Sequence, residues 1–137
     1  MDEAIEGFRN GFVQQVEESV KAWNKGHPGH NPWKFDPLKD NHFCVRRAGV
    51  RFPQLDWVSA TLSFEFTNSG EVIVRHFGKS VEEPDRTDRL KIVPKIGGGA
   101  FLCREETPDQ ELRVADAVRE IMWPFLKEWS DGNLQAR

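Results

Sequence analysis

Apolar residues near the start of the chain recur at steps of three and four: Ile5, Phe8, Phe12, Val16, Val20 and Trp23. This spacing draws a single apolar stripe and predicts an amphipathic α-helix from about residue 3 to 24. Gly7 and Gly11 interrupt it, and each weakens the helix by about 1 kcal/mol relative to Ala. The stripe therefore needs tertiary packing to persist, or the two glycines admit something close to the backbone. Lys25-Gly26 supplies a stop. The segment that follows, GHPGHNPWKFDPLKDNH, contains Pro28, Pro32 and Pro37 and admits no regular helix. It reads as a proline-stiffened connecting loop that packs Trp33 and Phe35 against a sheet edge or the first helix.

After this loop the period changes to two. Phe43 to Val50 reads as a strand, and Val58, Ala60, Leu62, Phe64 and Phe66 alternate with Ser59, Thr61, Ser63 and Glu65 along a longer one. Asn68-Ser69-Gly70 predicts a three-residue hairpin loop with Gly70 left-handed. Pairing Phe66 with Val72 then sets Phe64 opposite Val74 and Leu62 opposite His76, all facing the core. A slip of one residue would turn Arg75 inward, and an unpaired buried guanidinium is costly. The preferred register makes His76 the one titratable side chain on the inner face. Residues 79 to 89 are polar and proline-broken, a surface loop. Leu90 to Ile96 and Ala100 to Arg104 flank three glycines and predict another hairpin, with Pro94 marking its first strand as an edge or a bulge.

A second helix has strong start signals in Thr107, Pro108 and Gln110. Its apolar face runs through Leu112, Ala115, Val118, Met122, Phe125, Leu126 and Trp129, Pro124 sits inside it, and Ser130-Asp131-Gly132-Asn133 ends it. The order predicts a two-layer α+β sandwich: an antiparallel sheet of four to five strands, with the N-terminal and C-terminal helices packed on one face. The other face is left to solvent or to a partner. At 137 residues the chain amounts to a single domain, 1–137.

Composition narrows the function classes. Hydrophobic residues at 38% and charged residues at 30% place the chain among soluble globular proteins. No apolar run approaches the length of a spanning helix, and the acidic start MDEAIEGFRN lacks a signal-peptide pattern, so a cytoplasmic protein without membrane contact is expected. Net charge of −3 opposes bulk electrostatic binding to nucleic acid. The charge is uneven, however. Residues 43 to 104 carry ten Lys/Arg against seven Asp/Glu, a surplus of three positive charges, and the ends are acidic. Cys44 and Cys103, with no CxxC spacing, read as small buried residues.

Candidate chemistry is sparse. His27, His30 and His42 with Asp36 and Asp40 are suitable zinc ligands by type, but their spacing matches no ligand pattern. No metal or other cofactor is expected. KIGGGAFLC lacks the helix that a phosphate loop needs after its glycines. A His76 imidazole beside Cys44 or Cys103 would make a nucleophilic pair, though nothing in the sequence brings them together. Glu65 and Glu71 face outward and pair most simply with Arg75 or Lys91, while Arg46, Arg75, Lys91 and Lys95 form a modest basic platform with Ile73 and Phe77.

The aromatic content, five Trp and ten Phe with no Tyr, exceeds what the helix stripes require, so one or two Trp are left for a groove or an interface. Trp57 begins the long strand. If the sheet curves around the second helix, a pocket near Pro124 is lined by Trp123, Trp129, Phe64 and His76. The expectation is a non-enzymatic protein-binding module, an adaptor, inhibitor, immunity-type or chaperone-like protein that holds another protein or a second copy of itself. The alternative is a carrier of a small apolar ligand, or an enzyme, built on the His76 pocket.

Overall fold

The computed structural model describes residues 3–27, 32–39, 41–51, 56–78, 82–97, 99–107 and 110–129. The chain runs α1 (Glu3–Gly26), β1 (Lys34–Lys39), β2 (His42–Arg51), β3 (Asp56–Phe66), β4 (Glu71–Phe77), β5 (Arg86–Pro94), β6 (Ala100–Arg104) and α2 (Val114–Glu128). The six strands form one antiparallel sheet in sequence order. Phe8, Phe12, Val16 and Val20 of α1 and Ala117, Val118, Ile121, Met122, Phe125 and Leu126 of α2 bury against one face of it. The fold is the expected α+β sandwich, with two helices on an antiparallel sheet.

The β3–β4 hairpin has the predicted register: Phe66 lies opposite Val72, Phe64 opposite Val74 and Leu62 opposite His76. Gly70 has φ 81 at the turn, where a side chain would strain the backbone. Phe12 is fully buried, its ring 5.7 Å from both Phe64 and Phe66. Phe43 stacks on Phe64 at 4.8 Å. These aromatic contacts hold α1 in spite of Gly7 and Gly11, whose Cα positions face open space. The side chain of Ile5 lies outside the described residues.

Three expectations are corrected. The sheet has six strands, because Lys34–Lys39 of the proline-rich segment pairs with β2. Pro37 is tolerated since β1 is an edge strand, with a register shift between Pro37 and Lys39. Trp33, just before it, is buried, its backbone N–H donating to Asn24 Oδ1 at 3.0 Å. Secondly, α2 begins at Val114 after Arg113, with no side-chain cap. Leu112 instead bridges Leu102 through reciprocal backbone hydrogen bonds of 2.7 and 3.0 Å, and its burial at the sheet edge outweighs the capping box proposed at Thr107. Pro108 and residues 130 to 137, including the expected helix end, lie outside the described residues. Thirdly, β5 is internal to the sheet and starts at Arg86, inside the stretch read as loop. Pro94 closes it beyond the reach of β4, whose pairing stops at Lys91.

His76 is also not the one titratable group on the buried side. Arg47 is 5% exposed and donates from Nη1 to the Trp129 carbonyl at 2.7 Å, and Asp88 and Arg104 share the inner face by strand parity. On α1, Arg9 is 6% exposed. Its Nη1 donates to Asn41 Oδ1 at 3.0 Å and its Nη2 to the Thr67 carbonyl at 2.6 Å, which ties the helix to two hairpin turns.

Candidate functional site

The alternation of β4 turns His76 inward at the end of the sheet that α2 crosses, and β5 brings Asp88 to the same face. His76 donates through Nε2 to Asp88 Oδ2 at 3.0 Å, with the side chains 14% and 11% exposed. Asp88 Oδ1 accepts from Arg86 Nε and Nη2, both at 3.1 Å. The imidazole meets the Phe125 ring edge-on at 5.6 Å. Across the opening, Arg104 Nη2 of β6 pairs with Glu120 Oε2 of α2 at 3.2 Å. Trp129 rests on Gly78, where any Cβ would overlap the indole. These groups enclose a cavity of about 260 Å³ beside Pro124.

Of the residues expected here, His76 and Trp129 line the cavity, whereas Phe64 is fully buried under Phe12. Trp123 packs on Trp23, with centroids 5.3 Å apart, and does not line it. The side chain of Trp57 lies outside the described residues. The cavity is consequently walled by ion pairs more than by aromatic rings, because Asp88 and Arg104 occupy inner positions that single-strand alternation did not assign. Asp88, Arg86, Arg104 and Glu120 are the site residues the sequence did not yield. Asp88 was recoverable in principle, two residues before the inward Leu90.

Chemically, an imidazole oriented by a carboxylate can bind or shuttle a proton, but nucleophilic catalysis also needs a nucleophile within reach. The hydroxyls and thiols of the strands, Cys44, Ser59, Thr61, Ser63, Thr87 and Cys103, all fall on the opposite face by parity. The two cysteines are therefore separated from His76 by the sheet, and the imidazole–thiolate pair is ruled out. Both are free and buried. Burial pushes the Cys44 thiol above its ordinary range, helped by the Asp36 carboxylate and opposed by Arg46, the reverse of an activated thiol.

Nor does the structure bring together the proposed metal ligands that it describes. His27 stacks on Trp23 at 4.0 Å, Asp36 pairs with Arg46 at 2.9 Å, and His42 bonds Ser63 Oγ at 2.7 Å. His30 and Asp40 lie outside the described residues, among which no group of three suitable side chains gathers.

The far face of the sheet carries paired charges. Arg75 meets Glu65 at 2.9 Å, and Glu71 takes Arg89 at 3.5 Å instead of Lys91. Lys95 lies 5.7 Å over the ring of Phe101, which strand parity places on the same face. No helix of the described residues is long and apolar enough to cross a membrane. Comparison with protein-family models, with curated proteins and with solved structures returned no match.

Proposed function

We propose that the chain is a non-enzymatic protein-binding module that offers the face of its sheet opposite the two helices to an acidic protein partner. The observation that carries this is the charge on that face. Lys34, Arg46, Arg75, Arg89 and Lys91 stand there against Asp36, Glu65 and Glu71. Three of these cations are paired, and Lys34 and Lys91 have no carboxylate partner among the described residues. A depression of about 280 Å³ lies on it between Glu71, Arg89 and Lys91. Charge complementarity of this kind selects partners and speeds encounter. A second copy docked face to face would oppose like charges, which favours an unlike partner.

A photo-crosslinker at Thr87, exposed on this face, tests the proposal beside one at Gln14 on the outside of α1. In extract of the source cells the Thr87 probe should give a discrete adduct with an acidic protein, lost when Lys34 and Lys91 are both changed to Glu. Equal labelling from Gln14, or indifference to the charge reversal, would refute it.

The alternative, a small-ligand carrier or an enzyme centred on His76, has one observation of its own: an oriented imidazole–carboxylate pair on the wall of a cavity. Its lining of Arg86, Arg104, Asp88 and Glu120 suits a polar ligand better than an apolar one. Native mass spectrometry of the untagged protein should then show extra mass that denaturation releases and that His76→Phe removes. A bare sequence mass in both proteins speaks against it.

A further inference from the structure

Arg9 is a buried cation that no carboxylate among the described residues accompanies. Its two hydrogen-bond partners, the Asn41 side-chain oxygen and the Thr67 carbonyl, are neutral, and the Phe66 ring lies 5.4 Å beneath the guanidinium. Its Nε is buried and makes no hydrogen bond. Removing a guanidinium from water is costly unless an opposite charge accompanies it, and no carboxylate pairs with it among the described residues. Of its five N–H donors, the two bonded ones leave others uncommitted.

The same residue lines a cavity of about 450 Å³ between α1 and the β1–β2 hairpin. Half-buried Val13 and Phe35 supply apolar wall, and exposed Asn10 stands at its rim. We infer that this cavity binds a small monocarboxylic acid, its carboxylate paired with Arg9 and its apolar body against Val13 and Phe35. The planar fork of a guanidinium matches a carboxylate. A phosphate dianion fits less well, since one cation would face two negative charges and Glu6 also lines the opening. This site is separate from the His76 cavity and from the basic sheet face, and stands or falls independently of both.

Benzoate is the probe and benzamide, its neutral near-isostere, the control, each titrated into the full chain while the amide resonances of Asn10, Phe35 and Phe66 are followed by NMR. Benzoate should shift them saturably with a dissociation constant on the order of 1 mM. Benzamide should bind at least about tenfold more weakly, the loss of one charge-assisted contact, and Arg9→Met should abolish the benzoate response. Arg9 also ties two turns to α1, so a second variant guards against misfolding: Asn10→Trp leaves the Arg9 bonds intact, blocks the rim and should weaken benzoate to the same degree. Equal binding of benzamide, no amide shift with benzoate at about ten times that concentration, or undiminished binding to Asn10→Trp would overturn the inference.

Discussion

The two ends of the buried sheet face are built from different chemistry. Under α1, Phe12, Phe43, Phe64 and Phe66 close ring against ring, and Arg9 intrudes only at the margin. Under α2, the apolar residues share the face with Arg47, His76, Asp88 and Arg104, each tied to a specific partner. The first end is held by contact area, which is large and undirected. The second is held by directed bonds that need every partner in place. Stability should thus concentrate at the aromatic end, and any specific chemistry at the polar one.

That contrast is open to test in order of expected effect. Phe12→Ala removes the ring that touches Phe8, Phe43, Phe64 and Phe66 and should cost about 3–5 kcal/mol in urea unfolding; a loss below about 1 kcal/mol would mean that the aromatic end does not dominate. Gly78→Ala pushes a methyl group into the Trp129 indole and should cost about 1–3 kcal/mol, accompanied by a changed tryptophan emission that Phe12→Ala lacks.

Smaller again is His76→Phe. Asp88 keeps Arg86 when the imidazole goes, so the lost hydrogen bond should cost about 1 kcal/mol, read from the same urea curves. Cys44, on the far face, calibrates both ends. Its thiol has a raised pKa in the folded chain, so its contribution is fully present below the unfolded value of about 8.5 and is lost as pH rises through the higher folded value. The melting temperature should decline gently over that alkaline window, and the decline should flatten in Cys44→Ala.

Where local signals and tertiary burial agreed, the sequence was readable. The β3–β4 hairpin combines strict alternation with a glycine in the required conformation, and its register followed residue for residue. They disagreed at Leu112, which carries a helical position in the apolar stripe but is spent on a bridge to Leu102. β1 was concealed by Pro37, a breaker anywhere but at an edge. The polar groups at the α2 end were hidden for another reason: the parity of Phe43 and Val45 turns Arg47 inward, but nothing in the sequence supplies the Trp129 carbonyl that receives it. Arg9 left a fainter trace, three residues before Phe12 and seven before Val16, in line with the buried stripe of α1.

Both margins of the sheet are blunted. At one, Pro37 lacks an N–H and the pairing slips beside it; at the other, Leu112 already occupies hydrogen-bonding positions of Leu102. An incoming strand from another molecule would meet a missing donor on one side and taken donors and acceptors on the other. Both edges are thereby guarded against edge-to-edge growth into a stack of copies.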